Sequence, residues 1–105
     1  MFVDQEGPDP NFSATTTVTD GRATVTVTGE VDMSTADAMQ RAAIRDNPAA
    51  ATLDLRQVTF FDSAAIHALL RLAEFFGGEL TVLPSSQVRR VLEISGLAGQ
   101  PWLSD

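Results

Sequence analysis

The sequence predicts a single α/β domain in which a mixed β-sheet of about four strands carries helices packed against it. Mostly apolar and polar side chains alternate along residues 12–18 and 23–27, which flank Asp20-Gly21; this pattern is typical of an antiparallel hairpin. Two later apolar runs of strand length each follow a segment with apolar residues at helical spacing. Strands joined through a helix are nearly always parallel neighbours, because such crossovers are right-handed. The length of 105 residues and the 44% hydrophobic content fit one domain.

The individual elements follow from their start and stop residues. Residues 1–11 contain Gly7, Pro8 and Pro10 and are predicted to be a flexible arm, so the domain proper is expected to span residues 12–105. After the hairpin, the pattern predicts three helices separated by two strands. The first helix starts at Ser34 or Thr35 and ends at Asn47-Pro48, the second ends at Gly77-Gly78, and the third starts at Ser85 or Ser86 and ends at Gly96. The two strands between them are predicted at about 51–55 and at 79–83, and Trp102 and Leu103 are expected to seal the end of the domain.

The junction at Asp62-Ser63 lies at the centre of this arrangement. An apolar run of strand length (Leu53, Leu55, Val58, Phe60, Phe61) precedes it, and apolar residues at helical spacing (Ile66, Leu69, Leu70, Ala73) follow it. Asp62 is predicted to be the N-cap, which places Ser63 at the first helical position. Free backbone amides and the positive end of the helix dipole meet there, so an added phosphate on Ser63 would be favoured.

Composition excludes several function classes. Seven basic residues against fourteen acidic ones give a net charge of −7, which opposes binding to nucleic acid or to an anionic membrane surface. With one histidine and no cysteine, the chain lacks the usual ligands of a structural zinc site, and no glycine-rich phosphate loop is present, so neither metal nor cofactor is expected. No apolar run reaches membrane-spanning length and no signal peptide is recognised, so a cytoplasmic protein is expected.

Two groups of residues raise the question of catalysis. Glu30 and Asp32 would point to the same face of an extended strand, and Ser63 and His67 lie one helical turn apart beside Asp62. Neither group has the surroundings that acid–base or nucleophilic chemistry requires, so a hydrolase or small nucleotide-binding protein is disfavoured and no enzyme is predicted. A solvated strand end or a partner-binding edge remains open for the carboxylates, and an ordinary helix position for His67.

The motifs resemble those of the STAS domains, particularly the bacterial anti-sigma factor antagonists. Asp62-Ser63-Ala64-Ala65-Ile66 is similar to the family's Asp-Ser followed by Ser or Thr, Gly and Leu. Gly29-Glu30-Val31-Asp32 is similar to its Gly-Glu-Leu-Asp, and residues 88–97, which end in Ser95-Gly96-Leu97, are similar to its final helix. The resemblance extends in order from Phe12 across nearly the whole chain.

This resemblance implies a function in binding. In the family, the unmodified antagonist binds an anti-sigma factor with a kinase-like ATPase fold and so frees a sigma factor. The same partner is often a serine kinase that phosphorylates the position of Ser63, and a phosphatase reverses the modification. The residues that the resemblance assigns to the partner surface are Asp62, Ser63, Ala64, Ala65, Glu30, Asp32 and His67.

Three residues depart from the family pattern. Ala64 replaces a hydroxyl residue, and Ala65 and His67 replace glycines. Because alanine removes the backbone freedom of glycine, a kinase would fit this segment differently. The alternative is therefore a STAS subunit that docks constitutively in another assembly, such as an ABC-type lipid transporter or a stress-signalling complex.

Overall fold

The computed structural model describes residues 3–6 and 11–104, which form a five-stranded sheet and three α-helices. The strands are β1 (Val3–Glu6), β2 (Phe12–Thr19), β3 (Arg22–Val31), β4 (Ala50–Phe61) and β5 (Leu80–Pro84); the helices are α1 (Ala36–Ile44), α2 (Ser63–Phe76) and α3 (Ser86–Ile94), with a 3₁₀ turn at Gly77–Glu79.

The strands lie side by side in chain order, from β1 to β5. The strand β2 is antiparallel to both β1 and β3, whereas β3, β4 and β5 are parallel neighbours. The predicted hairpin and both predicted crossovers are thus confirmed. At the hairpin turn Asp20 and Gly21 both have positive φ, +53° and +78°, as a tight turn that matches the strand twist requires.

The strand β1 was not predicted. It lies within the segment expected to be a flexible arm, and Val3 to Glu6 pair with Thr17 to Ala14 of β2. The mixed sheet therefore has five strands instead of about four, and the sheet extends beyond the expected domain start at residue 12. Residues 1, 2 and 7–10 of the predicted arm, and residue 105, lie outside the described residues.

One face of the sheet carries the core. Cross-strand neighbours such as Val25, Leu53 and Val82 are fully buried there, and side chains of all three helices join the same cluster. The opposite face carries half-buried threonines, including Thr24 and Thr52. The fold therefore has two layers, with a sheet on one side and helices on the other.

The helices meet the sheet through small and aliphatic side chains. In α1 the buried side chains are mostly small: Ala36, Met39, Ala42 and Ala43. In α2 the buried positions are Ala65, Ala68, Leu69, Leu72 and Phe76. In α3 Val88 and Leu92 are buried, whereas Ser95, directly after the helix, is exposed.

Two residues of the apolar patterns on either side of the Asp62-Ser63 junction lie at the surface. Leu70 of α2 is 38% exposed and Phe60 of β4 is 49% exposed. The apolar spacing in α2 is compatible with two neighbouring stripes, and the buried one is centred on Leu69 and Leu72. Near its end β4 shifts register against β3, so simple alternation does not determine which side Phe60 faces.

The C-terminal segment closes the fold as predicted. Gly96 has φ +78°, and the Leu97 amide donates a 2.8 Å hydrogen bond to the Leu92 carbonyl, which ends α3. Trp102 is buried, and its carbonyl accepts a 2.8 Å hydrogen bond from the Val82 amide. The outer edge of β5 is covered in this way. Among the described residues, no helix has both the length and the apolar character needed to span a bilayer.

Candidate functional site

Two chain segments leave the sheet together at the site that the sequence motifs indicate. Val31 at the end of β3 pairs in parallel with Phe61 at the end of β4, and the Asp62 amide donates a 3.3 Å hydrogen bond to the Val31 carbonyl. The β3–α1 loop and the start of α2 therefore emerge next to each other. We call this region the Ser63 edge and define it as residues 30–35 and 60–67.

Asp62 is the N-cap of α2, as predicted. Its backbone is extended, and its side-chain oxygen Oδ1 accepts a 3.1 Å hydrogen bond from the Ala65 amide. The Ile66 amide donates to the Asp62 carbonyl at 3.0 Å. One of the free amides of the first turn is thus satisfied, and the direction in which Ser63 leaves the sheet is fixed.

The residues of the α2 start differ in exposure. Ser63 and His67 are exposed, and Ala64 is half-buried. Ala65 is fully buried in the core, so its side chain does not take part in the partner surface that the resemblance assigned to it. The residue contributes through its amide, which the Asp62 carboxylate binds. A buried position also explains why a small residue occurs there.

The β3–α1 loop is held in one conformation by its own hydrogen bonds. Asp32 Oδ1 accepts from the Ser34 amide at 2.9 Å and from the Ser34 hydroxyl at 2.7 Å. The Thr35 hydroxyl donates to the Glu30 carbonyl and accepts from the Asp32 amide, both at 2.9 Å. The hydroxyl and amide of Ser34 hold the pKa of the Asp32 carboxyl below its usual range, so this group is charged at neutral pH.

Thr35 precedes α1, but its hydroxyl makes no capping bond to the helix. The hydroxyl is used inside the loop instead, where it joins Glu30 to Asp32. The prediction that Ser34 or Thr35 starts this helix is therefore right about the position, although the side-chain contact differs. In α3 the predicted cap is present, since Ser85 Oγ accepts from the Val88 amide at 3.1 Å.

Glu30 and Asp32 do not form a carboxylate pair on one strand face. The strand β3 ends at Val31, so Asp32 lies in the loop and the alternation on which that expectation depended does not reach it. Glu30 is exposed at the strand end, and Asp32 is half-buried and faces Ser34. The arrangement presents two separate carboxylates at the surface.

Gly29 gives the loop its starting direction. The residue has φ +89°, and the amide of Glu30 that follows it donates a 2.7 Å hydrogen bond to the Asn11 carbonyl. A Cβ atom at Gly29 would overlap the Asn11 carbonyl oxygen and lie 2.7 Å from the carbonyl carbon. The first residue of the Gly-Glu-Val-Asp motif is therefore glycine for both conformational and steric reasons.

The trio Asp62, Ser63 and His67 is not arranged as a catalytic triad. Within the described part of the chain, no hydrogen bond joins Ser63 to His67, and the Asp62 carboxylate binds the Ala65 amide instead of the imidazole. The orienting contact that a base needs is missing, so Ser63 is not an activated nucleophile in this geometry.

Two surface features near the site were missed by the sequence interpretation. Met33, at the tip of the β3–α1 loop, is 84% exposed. A groove of about 300 Å³ lies between the end of β4 and the first turns of α3; it is lined by Thr59, Phe60, Phe61, Ser86, Gln87, Arg90 and Val91. Met33 directly follows the Gly29–Asp32 motif and could have been noticed as an apolar residue among polar neighbours, whereas the groove depends on tertiary packing.

Comparisons with known proteins agree with the fold and the motifs. Residues 14–104 match the family model described as "Mlab, STAS domain". The chain is 34% identical over 93 residues to the anti-sigma-F factor antagonist RsfB of Mycobacterium tuberculosis, a match that covers 81% of this chain and 76% of the relative.

Solved structures give the same result. The crystal structure of an anti-sigma factor antagonist from Mycobacterium paratuberculosis superimposes with a TM-score of 0.75 and 30% identity, covering 90% of this chain and 87% of the other. The anti-sigma factor antagonist SpoIIAA in its unphosphorylated form shares the fold with a TM-score of 0.66, at 24% identity and with 99% and 87% of the two chains covered. The match to the family model, the 34% identity to RsfB and the three sequence motifs in the family's order together show that this chain belongs to the STAS domain family.

Proposed function

We propose that this protein is an anti-sigma factor antagonist that binds an anti-sigma factor and thereby releases a sigma factor. The observation that carries the proposal is the exposed Ser63 at the capped start of α2, next to the ordered Glu30–Thr35 loop, in a chain that is 34% identical to a protein named as such an antagonist. Its role is that of a binding regulator, not of an enzyme, and it would act in the cytoplasm, where sigma factors function.

We further propose that phosphorylation of Ser63 switches the binding. The partner would be an anti-sigma factor with a kinase-like ATPase fold that phosphorylates Ser63, and a phosphatase would restore the hydroxyl. A phosphate adds about −1.5 to −2 charges at this point. Since Asp62 adjoins Ser63 and the Asp32 loop leaves the sheet beside it, the added charge would meet existing carboxylates at a surface that the partner must cover.

The proposed partner surface consists of Ser63, Ala64 and His67 on α2, the Asp62 cap, and Glu30 and Asp32 on the neighbouring loop. The carboxylates favour a partner with a basic face, which agrees with the net charge of −7. His67 lies one helical turn from Ser63 on the exposed side of α2, so it would lie at the rim of the same contact.

The test is affinity purification from the native cell with wild-type, Ser63→Glu and Ser95→Glu baits, with partners identified by mass spectrometry. The Ser95→Glu variant is the matched control, because it makes the same charge change at an exposed serine after the end of α3. We expect the wild-type and control baits to retain a kinase-like anti-sigma factor and the Ser63→Glu bait to lose it. Incubation of the purified pair with ATP should then phosphorylate Ser63.

The alternative is constitutive docking in another assembly, such as an ABC-type lipid transporter or a stress-signalling complex. Two residues favour constitutive docking because they alter the segment that a kinase would bind. Ala64 replaces a hydroxyl residue of the family pattern, and the buried Ala65 replaces a glycine. In that case all three baits would retain the same partner, with transporter or signalling subunits among the proteins identified.

A further inference from the structure

Met33 is the most exposed large apolar side chain in the described part of the chain. It is 84% exposed, whereas Met39, only six residues later, is fully buried. Single apolar residues are common on protein surfaces, so exposure alone assigns no role. Met33 differs from such residues in two ways: hydrogen bonds order the loop that carries it, and that loop leaves the sheet next to the start of α2.

The loop around Met33 is rigid on both sides. Asp32, which precedes Met33, binds the amide and hydroxyl of Ser34, which follows it, at 2.9 and 2.7 Å. The Thr35 and Ala36 amides both donate to the Asp32 carbonyl, at 3.1 and 2.8 Å. The backbone of Met33 is therefore fixed before any partner binds, and this lowers the entropic cost of using its side chain in a contact.

The segments that carry Met33 and Ser63 leave the same end of the sheet. Val31 and Phe61 are paired residues at the ends of parallel neighbouring strands; Met33 lies in the loop two positions after Val31, and Ser63 starts α2 two positions after Phe61. Because paired strands are about 4.8 Å apart, the β3–α1 loop and the start of α2 begin at adjacent points. A partner that covers Ser63 would therefore reach the β3–α1 loop.

The charges around Met33 define the chemistry of its counterpart. Glu30 is exposed at the end of β3, and Asp32, whose carboxylate binds Ser34, directly precedes Met33. An exposed apolar side chain in a loop that also carries two carboxylates is complementary to an apolar pocket with a lysine or arginine rim. The thioether chain is flexible enough to follow an irregular pocket wall.

We propose that Met33 is an apolar anchor that inserts into a basic-rimmed apolar pocket on the anti-sigma factor and contributes a large share of the affinity. The inference rests on the proposed function, since it names a contact within that complex. It assigns to the β3–α1 loop a role that is separate from phosphorylation, because the anchor acts in the unmodified state and does not depend on Ser63 chemistry.

The experiment measures the affinity of the purified anti-sigma factor for the full-length protein by calorimetry. The variants are Met33→Ser, Met33→Leu and Ile94→Ser, and thermal melting checks that each one folds. Ile94 is the matched control, because it is an apolar side chain of similar size, 80% exposed, at the end of α3 that points away from the Ser63 edge.

We expect Met33→Ser to weaken binding roughly tenfold to a hundredfold, as truncation of an interface anchor does. Met33→Leu should stay within about threefold of wild type, since leucine keeps the apolar volume, and Ile94→Ser should bind as wild type does. The loss in Met33→Ser should remain in high salt, whereas a loss in Glu30→Gln should diminish there.

The outcomes separate the two proposals. If wild type binds the anti-sigma factor and Ser63→Glu does not, but Met33→Ser binds as tightly as wild type, the anchor is refuted and the proposed function stands. Equal losses in Met33→Ser and Met33→Leu would refute the apolar pocket. If wild type does not bind any anti-sigma factor, the proposed function fails and the anchor fails with it.

Discussion

Replacement of Gly29 by alanine tests how the β3–α1 loop is positioned. Gly29 has φ +89°, and an L-residue with this backbone conformation costs about 1–2 kcal/mol. The new methyl group would also overlap the Asn11 carbonyl oxygen, which is backbone and cannot rotate away. Relief of the overlap would move the chain and break the 2.7 Å hydrogen bond from the Glu30 amide to Asn11, whose net value is about 0.5–1.5 kcal/mol.

The sum is a loss of about 1.5–3.5 kcal/mol in the free energy of unfolding. For a domain of this size, each kcal/mol corresponds to roughly 4–8 °C in melting temperature, so Gly29→Ala should melt at least about 6 °C below wild type. Differential scanning calorimetry or thermal melting by circular dichroism measures the change.

Two other glycines supply matched controls. Gly21 also has a positive φ, +78°, but a Cβ atom there would meet no atom within 4 Å, so Gly21→Ala carries the conformational cost alone, about 1–2 kcal/mol. Gly78 has neither a positive φ nor a close neighbour, and Gly78→Ala should change stability little. If Gly29→Ala proved as stable as Gly21→Ala, or more stable, the proposed clash with the Asn11 carbonyl would be refuted.

Two further predictions concern the carboxylates. Asp62→Ala removes the cap of α2 and should cost about 0.5–2 kcal/mol, measured by urea unfolding, with Asp62→Asn restoring most of the loss; an unchanged midpoint in the alanine variant would contradict the capping role. Asp54, whose carboxylate binds Arg56 at 2.8 and 2.9 Å, has its pKa held below the usual value by that hydrogen-bonded pair. Since the folded state favours the charged form of Asp54, the ionised carboxylate stabilises the fold above about pH 4, and this stabilisation is lost as the pH falls through the pKa of Asp54 in the folded state. The melting temperature of wild type should therefore exceed that of Asp54→Asn by a constant margin from pH 7 to 5, and the margin should shrink below pH 4; a margin that grows in acid would reverse the sign of this argument.

The sequence predicted those parts of the fold that depend on local chemistry. Asp62 and Ser85 are recognisable as caps because aspartate and serine accept hydrogen bonds from the first turn of a helix. Asp20-Gly21 indicates a turn because both residues tolerate positive φ. In each case the residue type and its immediate neighbours determine the conformation, so no knowledge of distant contacts is needed.

The features that were missed depend on contacts between distant segments. The strand β1 is defined by backbone pairing with β2, which its side-chain pattern does not signal. The exposure of Leu70 depends on which of two apolar stripes α2 turns to the sheet, and the steric demand at Gly29 depends on Asn11, eighteen positions earlier. At the site itself, the motifs identified Ser63 and Asp62, but only the parallel register of β3 and β4 brings Met33 to the same edge.

The position of Ser63 separates the effect of a phosphate on the fold from its effect on binding. As the first residue of α2, Ser63 lies where the helix dipole favours negative charge by about 0.3–1 kcal/mol, so a phosphate or a glutamate there should preserve or slightly raise the stability of the free protein. The same charge lies beside Asp62 and the Asp32 loop, on a surface that an acidic protein offers to a basic partner face. The geometry therefore allows phosphorylation of Ser63 to stabilise the fold and at the same time to weaken binding of the partner. A Ser63→Glu protein that has lost its partner should still melt no lower than wild type, which distinguishes an interface switch from loss of structure.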